Sequence, residues 1–295
     1  MSAAAPPRWR SLLFVPAHVE RFVSRAHARG ADGVILDLED AVPAEEKARA
    51  RASLAASVAS VTQSGGAALV RVNAGLIEMA ADLQAAVIAG VAGIVLPKVE
   101  EPGVVRLVAE AVAGLEEARG IAPGAVRLVL QIESPGALFH IREIAAAHPR
   151  VAAMTLGPED FCASLGAVPG PDSLLGPNLA VLAAARAAGV MPLGFAGSIG
   201  VYEDLDAYGA MIAQARRMGF RGAMAIHPAQ VAVLNAGFSP DAAEVDWARR
   251  VVAGDAAARS EGRGAFRLDG KMVDPPVVRR AEEILALAGE TFGAR

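Results

Sequence analysis

Residues 33–42 read GVILDLEDAV. An apolar strand candidate runs directly into Asp37, Glu39 and Asp40 with no turn residue between. Its near-continuous aliphatic start fits a strand covered on both faces, as in a parallel sheet sandwiched by helices. Period-two alternation places Asp37 and Glu39 on one face and Leu36 and Leu38 on the other. Buried carboxylates need partners, or they shift their pKa and neutralise. The acidic end of this strand therefore has to face something that tolerates negative charge.

Similar runs recur on either side. They are RSLLFVP (10–16), GVILDLED (33–40), ALVRVN (68–73), GIVLPKV (93–99), RLVLQIE (127–133), AAMTLG (152–157), VMPLGFA (190–196) and GAMAIHP (222–228). Their starts lie roughly 20 to 40 residues apart, the spacing of strand–helix units with short loops. Helix signals fill the gaps: Pro43 opens AEEKARARASLAASV, and Ser134 and Pro135 start a helix through ESPGALFHIREIAAAH. Eight units favour an α/β fold of the (β/α)8 TIM barrel type, spanning 8–236, over an open doubly wound sheet. From 237 to 295 the rhythm changes. Ser239-Pro240 caps a helix to about Ser260, FRLDGKMVDPP follows, and a last helix runs from Pro275 to about Ala288. This reads as a C-terminal helical extension serving as a lid or an oligomer arm.

The 295 residues are 54% hydrophobic and 20% charged, enough to bury a large core. The formal net charge of -4, with no basic run, argues against a nucleic-acid partner. Cys162 is the single cysteine, which excludes an intrachain disulfide and fits a reducing compartment. Residues 52–70 lack charge but are broken by polar residues and a glycine pair, so they do not read as a membrane span. The expectation is a soluble, cytoplasmic protein.

Barrel enzymes build their sites at the C-terminal ends of the strands. Here those ends carry Pro16, Asp37, Glu39, Asp40, Arg71, Asn73, Lys98, Glu133 and His227, with Asp160 just past the sixth strand. Five acids against few bases in one mouth call for a cation. The histidines are scattered and Cys162 has no partner, so zinc does not fit. Carboxylates with water and substrate oxygens suit Mg2+, with Mn2+ as an alternative. For any single acid the plain alternative is a helix cap or an ion pair with Arg71.

RSLLFVPA, GADGVILDLEDAV followed by K-x-x-AR, LVRVN, LPKVE, QIES, LGPEDF-x-x-x-LG, AIHPAQ and LDGKMVDPP stand in one order along residues 8–288. In that order they resemble the citrate lyase β-subunit-like family, the CoA-ester lyase branch of the HpcH/HpaI aldolase superfamily. The resemblance implies a Mg2+-dependent carbon–carbon lyase acting on a coenzyme A thioester. Such an enzyme splits malyl-CoA or citramalyl-CoA into acetyl-CoA and a 2-oxo acid, glyoxylate or pyruvate. It implies Glu133 and Asp160 as metal ligands, and Arg71 as a catalytic contact to substrate oxygens. Phe14, Arg21, Ile226 and His227 fall at positions that touch the CoA and thioester. Asp274 would act as acid or base in a neighbouring subunit, which implies a homotrimer or hexamer.

On this reading Asp37, Glu39, Asp40 and Lys98 stand behind the metal and substrate. Plainer roles stay open: Lys98 as counter-charge to Asp37 or Glu39, His227 as a strand-end hydrogen-bonding group, Asp274 as a helix cap, Arg21 as a solvated charge. Two departures from the family pattern are visible. Ser134 stands where threonine is frequent, and Gly194 and Phe195 stand where many relatives carry an aspartate turn. Two rival functions remain: a thioesterase on the same frame, and a carrier-protein-dependent citryl lyase subunit.

Overall fold

The computed structural model describes residues 7–200 and 202–290. Each apolar run becomes a strand of one eight-stranded parallel sheet. β1 (Ser11–Pro16) leads to α1 (Glu20–Ala26), and β2 (Gly33–Asp37) to α2 (Lys47–Val61). β3 (Ala67–Arg71) leads to α3 (Leu76–Ala86), and β4 (Val91–Leu96) to α4 (Pro102–Ala118). β5 (Arg127–Ile132) is followed by α5 (Ile141–Ala145), and β6 (Val151–Leu156) by α6 (Pro158–Leu165) and α7 (Pro171–Ala187). β7 (Met191–Leu193) leads to α8 (Leu205–Met218), and β8 (Ala223–Ala225) to α9 (Pro228–Gly237).

Strand order is β7-β6-β5-β4-β3-β2-β1-β8, which leaves β7 and β8 to meet. They do so by an isolated parallel bridge between Leu193 and Gly222. The Gly194 N–H donates to the Gly222 carbonyl at 2.9 Å and the Arg221 N–H to the Pro192 carbonyl at 3.0 Å. The result is a nearly closed (β/α)8 barrel. Gly222 has to be glycine there, because a side chain would run into the Trp9 carbonyl.

The period-two pattern sorts each strand into two cores. Leu12, Ile35, Leu69, Val95, Val129, Ala153 and Leu193 pack together inside the barrel. Leu13, Val34, Leu36, Val70, Ile94, Leu130 and Met154 pack outward among the helices. Trp9, Met191 and Met224 join this inner cluster. Charge begins one layer higher, where β2 places Asp37 beside Arg71 of β3.

The strands stop earlier than the sequence pattern suggests. β2 ends at Asp37 because its carboxylate takes over as acceptor, from the Glu39 N–H at 3.0 Å and the Ala41 N–H at 3.3 Å. The expected helix over 134–148 is split into a 3₁₀ turn at Gly136–His140 and the short α5. Ser134 still caps this segment, accepting from the Ala137 N–H at 3.2 Å.

The chain divides into two compact units, one through Phe238 and one from Ser239. The second holds α10 (Ala242–Ser260), β9 (Phe266–Leu268), β10 (Lys271–Val273) and α11 (Pro275–Ala288). The cap of α10 is Asp241, in a capping box with Glu244, rather than Ser239-Pro240. An aspartate that accepts the Glu244 N–H at 2.8 Å satisfies a donor that Ser239 lies too early to reach. β9 and β10 form an antiparallel hairpin. Its turn places Asp269 and Gly270 at φ 49° and 76°, the left-handed pair that Asp-Gly supplies. Val251, Val273, Val278, Ala281 and Leu285 form this unit's own core. Residues 291–295 of the expected extension lie outside the described residues. Among the described residues no helix is long and apolar enough to cross a membrane.

Candidate functional site

Above the apolar interior, the strand ends open into a cavity of about 320 Å³. Phe14, Asp37, Arg71, Gln131, Glu133, Thr155 and Asp160 line it, together with Phe195, Met224 and Ile226. Side chains converge here because inward positions alternate along every strand and the barrel radius leaves the upper layer unfilled.

The basic groups of the mouth are already engaged. Arg71 donates from Nε to Asp37 Oδ1 and from Nη2 to Asp37 Oδ2, each at 2.7 Å. Its Nη1 lies 3.1 Å from Glu39 Oε2 and 3.5 Å from Asp40. The guanidinium sits 4.8 Å over the Phe14 ring. Burial opposes the Arg71 charge, but Asp37 outweighs it and holds the pKa above the usual arginine range. Lys98 donates from Nζ to Glu39 Oε1 at 2.8 Å and lies 3.5 Å from Asp40. Burial works against its charge too, and Glu39 prevails, raising its pKa.

Glu133 is the carboxylate left over. It is 5% exposed, and its one donor among the described residues is the Lys98 backbone N–H, 3.1 Å from Oε2. That N–H is aimed by a left-handed Lys98 with φ 51°, a conformation unusual for a residue with a side chain. Burial first, then repulsion from Glu39 and Asp160, pushes the Glu133 carboxyl up to about 7. Glu39 is raised as well, mainly by burial and against the pull of Lys98. Gly157 makes room for Glu133: a Cβ there would lie 2.5 Å from Glu133 Cγ. Its φ of -87° suits any residue, so space rather than backbone freedom demands glycine.

These donors fit a hard divalent cation. Gln131 Oε1 is buried without a hydrogen-bond partner among the described residues, Glu39 Oε2 lies 3.1 Å from Arg71 Nη1, and Glu133 and Asp160 bring negative charge to the mouth cavity. All are oxygens, the ligand type of Mg2+. Among the described residues no group of three or more His, Cys, Asp or Glu side chains is gathered at metal-holding geometry. A cation here would rest on few carboxylates and keep positions free for water and substrate.

Of the residues singled out in the sequence, Phe14, Asp37, Asp40, Arg71, Glu133, Asp160 and Ile226 line the cavity. Glu39 and Lys98 are tied to it through Arg71 and one another. The open choice of partner for Asp37 resolves to Arg71, while Lys98 pairs with Glu39. Arg21 is exposed on α1, its guanidinium 4.8 Å from the Phe22 ring. His227 is exposed on the barrel rim and caps α9, Nδ1 accepting from the Ala229 N–H at 3.2 Å. That leaves Nε2 to carry the proton of the neutral ring. Tyr202 stacks on it with centroids 4.8 Å apart. Asp274, in the second unit, caps α11 by accepting from the Val277 N–H at 3.5 Å.

Three further contributors stand inside the QIES, LGPEDF and K-x-x-AR stretches, whose spacing alone assigns them no role. Gln131 and Gly157 are two. The third is Lys47, whose ammonium binds the Leu38 and Glu39 carbonyls at 3.0 and 3.1 Å and also Asn73 Oδ1. Asn73 in turn bonds Asp82, which is fully buried and paired with Arg51. Lys47 and Arg51 are the charged residues of the K-x-x-AR motif, and they fasten the ends of β2 and β3.

Comparison with known proteins supplies the chemical frame for this geometry. Residues 10–228 match the model of the HpcH/HpaI aldolase/citrate lyase family. The chain is 35% identical to the citrate lyase subunit beta of Escherichia coli over 292 residues, 97% of this chain and 95% of that one. It is 36% identical to a (3S)-malyl-CoA thioesterase of Cereibacter sphaeroides over 284 residues, 95% and 94% of the two chains. Among solved structures, the CitE protein of Mycobacterium tuberculosis in complex with magnesium, acetoacetate and coenzyme A superposes with a TM-score of 0.71. That protein is 32% identical, and the match covers 98% of this chain and 100% of that one. The chain belongs to the HpcH/HpaI aldolase/citrate lyase family.

Proposed function

We propose that this protein is a Mg2+-dependent lyase that cleaves or forms a β-hydroxyacyl-CoA, of the malyl-CoA or citramalyl-CoA kind. The products of cleavage are acetyl-CoA and a 2-oxo acid. The observation that carries the reading is Glu133, a buried carboxylate without an ion pair of its own among the described residues, lining the mouth cavity with Asp160. The magnesium, coenzyme A and acetoacetate bound by the mycobacterial relative support it.

On this reading Glu133 and Asp160 hold the metal, with Glu39, Asp40 and Lys98 setting the field around it. When bound, Mg2+ supplies Lewis acidity and a chelation point for the substrate's carboxylate and β-oxygen. The rest falls to the chain. Cleavage passes the β-hydroxyl proton to solvent, turns that carbon into a carbonyl, an aldehyde from malyl-CoA or a ketone from citramalyl-CoA, and leaves the Cα–Cβ electron pair on the thioester enolate. Arg71, fixed by Asp37 and by the Phe14 ring, holds a permanent positive charge where the enolate oxygen forms. Asp274 gives a proton to the enolate carbon, or removes it from the acetyl methyl in the reverse direction. In this proposal Asp274 comes from a neighbouring copy in a homotrimer or hexamer, with Ile226, His227, Phe14 and Arg21 along the thioester's carrier arm.

The likeness to the Cereibacter thioesterase favours a second reading on the same residues, hydrolysis of the thioester instead of cleavage of the carbon–carbon bond. One experiment separates them. The protein is incubated with malyl-CoA and citramalyl-CoA, with and without Mg2+, and products are identified by mass. Acetyl-CoA with a 2-oxo acid supports the lyase; free malate or citramalate with CoA supports the thioesterase. No Mg2+-dependent product from either ester would overturn both.

A further inference from the structure

The β9–β10 hairpin of the second unit has two unlike faces. Val273 is 3% exposed in that unit's core, and its cross-strand partner Phe266 packs there with it. Alternation turns the next pair, Met272 and Arg267, the other way. Met272 is 73% exposed, and Arg267 is exposed beside it. Asp274 continues the extended backbone two residues past Met272, at φ -131° and ψ 176°, and so falls on that same outer face. Arg267 is a leftover cation. Among the described residues it makes no ion pair, and the hairpin's own Asp269 is taken by Arg250.

The mouth of the barrel has the opposite imbalance. Asp37, Asp40, Glu133, Glu159 and Asp160 line it, and Arg71 is the one lining cation among the described residues. Asp37 and Asp40 face Arg71, and Glu133 and Asp160 are the carboxylates proposed for the metal. Glu159 remains. It is exposed at the start of α6, and its contact is an uncharged one, the Ser198 hydroxyl donating to Oε1 at 2.5 Å. Ile226, 46% exposed, adds an apolar edge to the same cavity. A carboxylate brought alone to this mouth meets like charge, and an arginine carried on the same face offsets that repulsion.

Resting on the reading that Asp274 works in a neighbouring copy, we propose that Arg267 enters that copy's mouth with it and pairs with Glu159. The ion pair latches the hairpin, with Met272 against the apolar edge at Ile226, and seats Asp274 over the substrate. Arg267 is a positioning residue: it touches no reacting atom and acts through Asp274. The partner this face fits is a second copy of the chain, and each mouth is complete only with it.

The full-length protein tests this through paired cysteines. Cys162 is the single native cysteine and is buried, so Arg267→Cys/Glu159→Cys carries two accessible thiols. A short bismaleimide is expected to link separate chains on a denaturing gel, a product that neither single variant gives. No linked product, the same product from a single variant, or a link within one chain overturns the inference. In turnover, Arg267→Glu is expected to lower kcat about 10–100-fold with Mg2+ affinity unchanged, and adding Glu159→Arg to restore most of the loss. A doubly swapped protein no faster than Arg267→Glu overturns the pairing. A missing link in a protein that cleaves thioesters sinks the inference and leaves the lyase reading standing. The link in a protein that turns over no thioester upholds the inference and sinks the lyase reading.

Discussion

Two glutamates in this barrel are almost equally buried and electrostatically opposite. Glu116, on α4, is 1% exposed; Glu133, just past β5, is 5% exposed. Glu116 accepts from Arg150 Nη1 at 2.8 Å, and from the Val126 and Gly124 N–H groups at 2.8 and 2.9 Å. Burial pushes its carboxyl up, yet Arg150 and those two N–H groups prevail and hold it below the usual range. Glu133 has one backbone donor and two acidic neighbours, and its carboxyl is pushed up to about 7. The first is a closed ion pair that the fold completes by itself. The second is left open, as a site for a cation would be.

The contrast breaks first under substitution at the open site. Glu133→Ala and Asp160→Ala should each lower Mg2+-dependent turnover by at least about 10²–10³-fold. Glu133→Ala should leave the melting temperature unchanged or higher, since a disfavoured buried charge is removed. Activity retained in both variants would end the metal assignment. Asp274→Asn keeps a good helix cap and should keep the fold, while turnover falls by about 10²–10⁴-fold. A full rate in that variant would return Asp274 to a capping role alone.

Glu116→Ala should do the reverse of Glu133→Ala. It leaves Arg150 buried and unpaired, and about 3–5 kcal/mol of stability should be lost in urea unfolding. The Mg2+ dependence of the remaining activity should not change. A Glu116→Ala protein as stable as wild type would show that the closed pair is not closed.

Gly157→Ala sharpens the comparison from the side of geometry. Its backbone, at φ -87° and ψ 99°, admits alanine, but the new methyl group displaces the Glu133 carboxylate. Mg2+ affinity should drop about 10–100-fold with little change in stability. The pH dependence of the metal-free protein probes the same carboxylate without substitution. Glu133 is raised on folding from 4.5 to about 7, so the folded state binds the extra proton between those values. Stability therefore falls as pH rises from about 4.5 to about 7 and levels off above. Glu133→Gln should flatten that part of the curve.

Much of this could be seen along the chain, for identifiable reasons. The eight strands announce themselves because both faces are buried, so each appears as an unbroken apolar run ending in polar residues. The helix after β5 was harder, since Ser134 and Pro135 signal a start but nothing signals its break into a 3₁₀ turn at Gly136–His140. In the site, the charges were visible and their pairing stood between alternatives. That Asp37 takes Arg71, and Lys98 takes Glu39, follows from the register of β2 on β3 and the turn at Lys98. Gln131 carries no charge, and its signals are its place in QIES and the two-residue spacing to Glu133. Gly157 owes its identity to a side chain from the neighbouring strand, a constraint no single strand displays.

The central claim is that the open glutamate is open for a divalent cation. Isothermal titration of the metal-free protein with Mg2+, in two buffers of different ionisation enthalpy, tests it most directly. The expected result is one ion per chain with release of about half a proton near pH 7, the release vanishing by pH 9. Glu133→Gln should abolish the binding. Binding of equal strength in Glu133→Gln, or none in the wild type at any of these pH values, would contradict the account.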